Sequence, residues 1–396
     1  MTADRDARLE RVLTRHRDAT VVEDGSGRWT VVRRDQILAA GSDASTVEDR
    51  ARRWLDGRDD LAGAVRFRLR AGADIDVCEL VRDLQGSAPH RSTSASPNHL
   101  LRAEPGWWAG PEGYPRPAPT IPPPEPRPVR RPITVALLDT GLFPHPWFEG
   151  KTWYVRQRDD GITEVLDANR DDRLDPDAGH GTFVAGVVLQ GAPSVRLHVR
   201  RILGSDGVCD ELTLVDALTE LWAWSRRPES QLDVLNLSLG CYTFDDRPTP
   251  VVAHALRRLG RETAIIASAG NNASDRPFWP AALKSVIAVG ALDAAGHDRA
   301  AFSNYGWWID ACAVGEDVGS SFVVFDGPAP PTDGLDPDLF RGYATWSGTS
   351  FAAPGVAGVL AALSARDDVP AATAAEMLLD PTDRRSLPDL GVVVET

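Results

Sequence analysis

Four polar residues in the second half of the chain have the types and surroundings that nucleophilic catalysis needs. Asp139 directly follows the apolar run Ile133–Leu138, and His180 lies between two glycines at the start of a run of small residues. Asn271 ends the segment A-S-A-G-N, and Ser350 lies where a glycine-rich loop gives way to a predicted helix. A serine hydroxyl attacks a carbonyl when a base takes its proton, a carboxylate orients that base and hydrogen-bond donors stabilise the oxyanion. These residues supply one group of each kind.

Each of these residues also has a purely structural explanation when it is considered alone. Asp139 is followed by Thr-Gly, a sequence that is typical of turns. Ser350 could cap a helix, and His180 and Asn271 could begin a helix or end a turn. The order Asp, His, Ser nevertheless separates this chain from the α/β-hydrolases, which have the order Ser, Asp, His and a G-x-S-x-G sequence around the serine. That sequence is absent around Ser350.

The segments around these residues alternate between apolar runs and helical patterns. The predicted buried strands are Ile133–Leu138, Val195–Ile202, Val234–Leu239, Ala264–Ala269 and Val286–Ala291, and the predicted helices are Gly181–Leu189, Leu212–Trp224 and Val251–Leu259. A further helix of small residues follows Ser350 and is expected to be packed on all sides. Because apolar strands alternate with helices, we predict an α/β fold with a mostly parallel central sheet and helices on both faces. The active groups of such sheets collect at the carboxyl ends of the strands.

The chain divides into three parts at changes of composition. Residues 105–132 contain eleven prolines, which are incompatible with a helix or a central strand, and we predict an extended, semi-rigid linker there. Residues 1–104 mix short apolar runs with charged amphipathic segments such as Thr46–Leu55, for which we predict a small α+β domain. Residues 133–396 form the predicted catalytic domain, in which we interpret the polar stretch Gly319–Tyr343 as a surface insertion.

Composition restricts the partners and the compartment. A net charge of −14 opposes binding to nucleic acid and to anionic membranes, so we expect neither as a partner. Residues 1–18 are charged throughout and lack the apolar core of a secretion signal, and no window of the sequence is apolar over the length of a membrane span. The four cysteines lack metal-ligand spacing, which favours free thiols in a reducing compartment. We therefore expect a cytoplasmic protein.

Seven segments that contain or surround the four polar residues resemble the subtilisin-type (subtilase) serine proteases in sequence and in order. They lie within residues 131–365 and are V-A-L-L-D-T-G (135–141), G-H-G-T-F-V-A-G (179–186), V-L-N-L-S-L-G (234–240), A-S-A-G-N (267–271), P-A-A-L-K-S-V-I-A-V-G-A (280–291), F-S-N-Y-G (302–306) and S-G-T-S-F-A-A-P-G-V-A-G (347–358). The resemblance implies a serine endopeptidase in which Asp139 orients the base His180 and Ser350 attacks. It also implies that the Asn271 side chain joins the Ser350 N–H as the oxyanion hole.

The resemblance further implies how the substrate, a protein or peptide, would bind. Two backbone segments resemble the walls of the first specificity pocket, and a substrate would lie beside them as an added strand. The wall residues are Ser238, Leu239 and Gly240 in one segment and Ala267, Ser268, Ala269 and Gly270 in the other. Phe183 stands where the family commonly has a second histidine, which leaves the triad itself intact. The chemistry requires no cofactor.

The N-terminal domain resembles the inhibitory propeptide of the same family more faintly, over about Ala19–Glu104. On that interpretation the domain is the chain's own inhibitor, and the alternative is an accessory domain that recruits a partner. For the whole protein, the alternative to an enzyme is a catalytically inactive subtilase fold that binds peptide strands or serves as a scaffold. Because every catalytic position is filled, we favour the enzyme.

An acidic loop precedes His180. Asp167, Asn169, Asp171 and Asp175 place oxygen atoms at alternate positions, which suits structural calcium, and calcium sites are common in subtilases. The loop lacks the spacing of an EF-hand, and a solvated acidic loop is the competing interpretation.

Overall fold

The computed structural model describes residues 2–23, 27–73, 75–86, 93–103, 113–157, 161–328 and 337–396, and gives only the backbone of residues 2–8 and 383. The helices are Thr2–Arg15 (α1), Ala44–Ala51 (α2), Val77–Gln85 (α3), Thr152–Gln157 (α4), His180–Gly191 (α5), Glu211–Ser225 (α6), Pro250–Arg258 (α7), Thr349–Asp367 (α8) and Ala371–Leu378 (α9). The strands are Ala19–Glu23 (β1), Trp29–Ala39 (β2), Leu55–Asp60 (β3), Val65–Leu69 (β4), Ser96–Ala103 (β5), Arg116–Pro117 (β6), Thr134–Asp139 (β7), Arg196–Arg201 (β8), Val208–Asp210 (β9), Val234–Leu237 (β10), Leu239–Gly240 (β11), Ala264–Ser268 (β12), Ile287–Leu292 (β13), Ala311–Val314 (β14), Val318–Asp326 (β15), Leu339–Trp346 (β16), Ser386–Leu387 (β17) and Gly391–Val393 (β18).

The catalytic domain is built on a sheet with the strand order β17-β18-β14-β13-β12-β10-β7-β8. Its neighbouring strands are parallel except for the edge pair β17 and β18. In the centre, Val234 of β10 lies between Val135 of β7 and Ala264 of β12. These strands are buried on both faces, which is why their sequences are continuous apolar runs. The predicted α/β fold with a mostly parallel sheet is confirmed.

Helices cover both faces of this sheet and form two cores. Val135 and Leu137 of β7 point to one face, where α5, α8 and α9 pack, while Ala136 and Leu138 point to the other, where α6 and α7 pack. The predicted core helix after Ser350 is α8, which is buried along most of its length. Gly358 of α8 approaches α5 so closely that a Cβ on it would lie 2.9 Å from a backbone oxygen. Small residues therefore let α5 and α8 meet at the centre of the domain.

The N-terminal domain consists of an antiparallel sheet of β1 to β5 with α2 and α3 packed against it. The predicted small α+β architecture is present in the described residues. Strand β5 pairs with strands of both domains. Its partners are β2 in its own domain and β9 and β11 in the predicted catalytic domain. The two domains therefore share one continuous sheet through β5.

Two expectations from the sequence differ from the structure. The helix predicted over Thr46–Leu55 ends at Ala51, and Leu55 instead begins β3. The stretch Gly319–Tyr343 is not only a surface insertion, because its two ends form the antiparallel hairpin of β15 and β16, which packs on α5. Phe322 and Phe340 of this hairpin are fully buried and belong to the core. The polar composition of the whole stretch did not indicate this contribution. Residues 329–336 of the stretch lie outside the described residues.

The described part of the proline-rich linker, residues 113–132, runs along the catalytic domain. Arg116–Pro117 pairs with Ala344 and Thr345 at the edge of β16, which is a position where a proline is tolerated. Most residues from Pro122 to Arg130 are exposed and have no regular structure. Among the described helices, none combines the length and apolar character that a membrane span requires.

Candidate active site

Asp139 and His180 form a buried pair at the carboxyl end of the central sheet. Asp139 is the last residue of β7, and His180 is the first residue of α5. The carboxylate Oδ1 of Asp139 lies 2.7 Å from Nδ1 of His180 and also accepts the Thr140 N–H at 2.7 Å. Gly179 precedes His180 with a positive φ of 87°, and a Cβ there would lie 2.4 Å from Phe322. The G-H-G sequence is therefore needed to bring the imidazole to the end of β7.

The hydrogen bond to Asp139 fixes which imidazole nitrogen carries a proton. Because a carboxylate only accepts hydrogen bonds, Nδ1 of His180 donates, and in the neutral ring Nε2 is left with a lone pair. Nε2 has no hydrogen-bond partner among the described residues. Burial acts to lower the pKa of His180, but the charge of Asp139 and its hydrogen bond outweigh burial, so the pKa is raised from the usual 6.5. The pair thus has the form of a base held by a carboxylate.

Ser350 lies in the first turn of α8, and Pro354 shapes its surroundings. Proline has no N–H, so the helix cannot satisfy the carbonyl of Ser350 four residues earlier. The hydroxyl of Ser238 donates to that carbonyl at 2.8 Å, and Oγ of Ser350 lies 3.5 Å from the carbonyl oxygen of Ser238. The S-x-x-x-P spacing thus ties the predicted nucleophile to the predicted substrate wall.

Asn271 lies next to the same turn. Its Oδ1 accepts the N–H and the hydroxyl of Thr349, each at 2.9 Å, and Thr349 Oγ1 in turn accepts the Gly270 N–H at 3.0 Å. Because Oδ1 is engaged by two donors, the amide orientation is fixed and Nδ2 is turned away from Thr349. The side chain is 2 % exposed. Asn271 can therefore present a preorganised N–H donor beside Ser350, as an oxyanion hole requires.

The two predicted walls lie on either side of this turn. Ser238 separates β10 from Leu239–Gly240, and Ala267 and Ser268 end β12 before Ala269 and Gly270. One residue that the sequence analysis did not single out holds the second wall. Asn304 donates from Nδ2 to the Ala269 carbonyl at 2.7 Å, and its own N–H donates to the Gly270 carbonyl at 2.9 Å. Asn304 lies in the segment F-S-N-Y-G, so its place in a segment that resembles the family is the signal that could have pointed to this role.

A second residue that the sequence analysis missed is Glu164, a buried glutamate beside the pair. Its Oε1 accepts the Thr140 hydroxyl and the Gly181 N–H at 3.2 Å, and its Oε2 accepts the Thr182 hydroxyl at 2.7 Å. Thr140 follows Asp139, and Gly181 and Thr182 follow His180, so one carboxyl joins the two turns that carry the pair. Burial raises the pKa of Glu164 to about 7, against the hydrogen bonds of the two threonines. No pattern in the sequence pointed to this residue.

Aromatic rings surround His180. The rings of Trp346 and Phe351 lie 5.7 Å and 5.5 Å from the imidazole, centre to centre. Phe183 is fully buried and packs 4.5 Å from Phe351, so the residue that departs from the family pattern is part of the core below the pair. These rings exclude water from one side of the imidazole and thereby strengthen its interaction with Asp139.

The carboxylates predicted to bind calcium accept hydrogen bonds from protein groups, most of them in the loop before α5. Asp167 accepts the N–H groups of Asp171 and Asp172, and Asn169 donates to Asp171. Asp175 accepts the N–H of Ala168 at 2.9 Å. In the parts of the chain that the structure describes, no three His, Cys, Asp or Glu side chains are grouped as metal ligands. Calcium binding by these four residues stays a prediction.

Residues 130–388, well over half of the chain, match the profile of the Subtilase family. The chain belongs to the subtilase family. Its similar proteins include the thermophilic serine proteinase of Bacillus sp. (strain AK1), 33% identical over 245 residues, which are 59% of this chain and 52% of that protein. Subtilisin BL of Lederbergia lenta is 31% identical over 241 residues, 58% of this chain and 75% of that protein.

Two solved protease structures have the same fold. Fervidolysin from Fervidobacterium pennivorans, a keratinolytic enzyme related to subtilisin, superposes with a TM-score of 0.58 at 18% identity, over 92% of this chain and 60% of that chain. A lanthipeptide protease superposes with a TM-score of 0.52 at 23% identity, over 67% of this chain and 85% of that chain. The chain spans about half the length of the first relatives in sequence. The predicted family and fold class are confirmed.

Proposed function

We propose that the protein is a serine endopeptidase that hydrolyses peptide bonds of protein substrates through an acyl-enzyme on Ser350. The observation that carries this proposal is the buried Asp139–His180 pair, whose Nε2 is left to accept a proton. Membership of the subtilase family supports the same activity. The position of Ser350 in the first turn of α8 adds to this, since the helix dipole favours negative charge that develops there.

In the proposed reaction, Nε2 of His180 takes the hydroxyl proton while Oγ of Ser350 bonds to the substrate carbonyl carbon. Asp139 stabilises the imidazolium, and the Ser350 N–H and the Asn271 amide donate to the oxyanion. The tetrahedral intermediate then collapses, the peptide C–N bond breaks, and the leaving amine takes the proton from His180. Water repeats the same steps on the acyl-enzyme and restores the serine. None of these steps uses a cofactor.

Covalent labelling with diisopropyl fluorophosphate tests the activity. For this test a protease site is inserted between Glu125 and Pro126, where the linker is exposed. The protein is purified intact and then cut at this site, which gives the nicked chain. The probe is applied to the nicked chain. We expect stoichiometric labelling of this chain and none of its Ser350→Ala variant. Ser364→Ala, which removes another buried serine of α8, is the control and should be labelled normally. A nicked chain that remains unlabelled at nanomolar concentration, where the N-terminal domain is expected to dissociate, would favour the alternative, an inactive subtilase fold that binds peptides.

We further propose that the N-terminal domain inhibits the enzyme by placing β5 where a substrate strand would bind. Strand β5 lies between β9 and β11, with Leu101 opposite Cys209 and Arg102 opposite Gly240. The Ala103 N–H donates to the Gly207 carbonyl at 2.8 Å. Because β11 is part of the predicted substrate wall, β5 uses backbone groups that an extended peptide would need. An accessory domain that recruits a partner remains the alternative.

Side chains of β5 reinforce this position. Nδ1 of His99 lies 2.9 Å from a carboxylate oxygen of Glu211, and both side chains are about 1 % exposed. Nε2 of His99 accepts the Phe244 N–H at 3.3 Å, so the neutral ring carries its proton on Nδ1 and donates it to Glu211. Leu101 joins the core formed by α6, α7 and β10. The strand is therefore anchored by a buried polar pair as well as by its backbone.

Calcium binding and a cytoplasmic location are two further proposals, and simple measurements test them. If the loop of Asp167–Asp175 binds calcium, the melting temperature should rise with calcium and fall with a chelator, and equal values would exclude it.

We propose a cytoplasmic location without nucleic-acid or membrane partners, in keeping with the net charge of −14. The four cysteines, Cys78, Cys209, Cys241 and Cys312, are buried and form no disulfide with one another. Titration of the denatured protein without reductant is expected to find all of them as thiols.

A further inference from the structure

The aromatic ring of Phe278 lies beside both predicted substrate walls. Both walls meet the turn of Ser350, through the hydroxyl of Ser238 on one side and the Gly270 N–H on the other. Gly240 lies against this ring, and Gly270 contacts both the ring and the side chain of Asn304. A Cβ added to Gly240 would lie 2.3 Å from Cε1 of Phe278, while one added to Gly270 would lie 2.5 Å from Nδ2 of Asn304 and 3.2 Å from Cγ of Phe278. The ring therefore occupies the slot between the walls.

The surroundings of Phe278 hold the ring in this slot. The side chain is 1 % exposed, and Tyr242 packs edge-on against it at 5.1 Å between ring centres. The next residue, Trp279, exchanges two backbone hydrogen bonds with Cys241, of 2.8 Å and 2.9 Å, directly after the first wall. Backbone pairing on one side and ring packing on the other leave little freedom for the ring to swing out.

We propose that Phe278 closes the first specificity pocket and restricts the substrate residue whose carbonyl is attacked to glycine, alanine or serine. A large apolar side chain at that position would need the space that the ring already fills, while a methyl or hydroxymethyl group needs almost none. This inference rests on the proposed function, because it concerns the residue next to the bond that Ser350 attacks. Its consequence is that the enzyme cleaves after small residues and passes over aromatic ones.

Two peptides that differ at one position test this inference. Each begins with the sequence of residues 99–103 and continues with either alanine or phenylalanine before a fluorogenic leaving group. With the nicked chain, we expect kcat/KM for the alanine peptide to exceed that for the phenylalanine peptide by about a hundredfold or more. The Phe278→Ala variant opens the slot, so the ratio should fall at least about tenfold. Equal or faster cleavage of the phenylalanine peptide by the unmodified chain would overturn the inference.

A control variant and a second measurement keep the test decisive. Phe148→Ala removes an equally buried ring in the core on the other face of the sheet, so it should lower stability but leave the ratio unchanged. Binding of both peptides, as amides, to the nicked Ser350→Ala chain needs no catalysis. Tighter binding of the alanine peptide supports the inference even if fluorophosphonate labelling fails, in which case the proposed activity alone is wrong. Tighter binding of the phenylalanine peptide contradicts the inference whatever the activity.

Discussion

Asn271 shows how the surroundings of one residue prepare it for the transition state. Its Oδ1 is held by the N–H and hydroxyl of Thr349, so the orientation of the amide group is set before substrate arrives. Because the bond to the oxyanion strengthens only in the transition state, Asn271→Ala should lower kcat by about 10²–10³ and leave KM nearly unchanged. Steady-state kinetics of the nicked chain measure both constants. Asn272→Ala, one residue further along, is the control, and a change in KM alone would contradict the role of Asn271.

Glu164 links stability to pH in a direction that its pKa defines. Burial raises the pKa of Glu164 from 4.5 to about 7 in the folded chain. The folded state therefore binds the proton more tightly than the unfolded state, and the stability contributed by this group is complete below pH 4.5 and lost as the pH rises through 7. Relative to the Glu164→Gln variant, the native chain should lose at most about 3 kcal/mol of unfolding free energy over this range.

Melting temperatures of both chains between pH 4.5 and pH 8 measure this difference. The margin of the native chain over Glu164→Gln should shrink as the pH rises. The exposed Glu229→Gln serves as the control, since it removes a carboxyl of the same kind that remains in contact with water. A margin that stays constant from pH 4.5 to pH 8 would show that Glu164 does not change its proton binding on folding.

Residues in short local motifs could be predicted from the sequence, and those that act through tertiary contacts could not. Asp139, His180 and Ser350 each stand in a motif of glycines and small residues that a close approach requires, and the structure places the first two 2.7 Å apart. Glu164 and Phe278 have ordinary neighbours in the sequence. Their positions depend on how a loop folds against α5 and on how two walls converge, which no local pattern encodes.

At the scale of elements, β5 is the connection between the domains. It pairs with β2 of its own domain and lies between β9 and β11 of the other domain, so it joins the two domains in one sheet. The sequence predicted a small α+β domain for residues 1–104, but it did not indicate that a strand of this domain pairs with β9 and β11, because pairing across more than a hundred residues leaves no local signal. The parallel strands were easier to predict because burial on both faces makes them continuous apolar runs.

The buried contact of His99 with Glu211 should determine how firmly β5 is held. His99→Ala leaves the Glu211 carboxyl buried without its imidazole partner, which costs about 1–3 kcal/mol and corresponds to roughly 5–150-fold weaker docking. The rate of fluorophosphonate labelling of the intact, uncut chain should rise accordingly. His254→Ala on α7, where the side chain is exposed, is the control. An unchanged labelling rate in His99→Ala would show that β5 does not limit access to Ser350.

For the whole molecule, inhibition depends on the linker that keeps the N-terminal domain near the cleft. In the uncut chain the domain is attached, so its effective concentration at the cleft does not depend on how dilute the protein is. Once the linker is cut between Glu125 and Pro126, the domain is held by non-covalent contacts alone, among them the pairing of β5 with β9 and β11 and that of the short strand Arg116–Pro117 with β16. Its occupancy then follows its affinity and the total concentration of protein.

Dilution therefore separates an inhibitor from an accessory domain. We expect the specific peptidase activity of the nicked chain to rise as it is diluted from micromolar to nanomolar concentration, because the N-terminal fragment dissociates. The uncut chain should keep a low and constant specific activity over the same range. Adding excess N-terminal fragment, recovered from the nicked chain, should lower the activity again, and nicked Ser350→Ala controls for traces of the cutting protease. If cut and uncut chains have the same activity at every dilution, the domain is not an inhibitor, and recruitment of a partner becomes its better explanation.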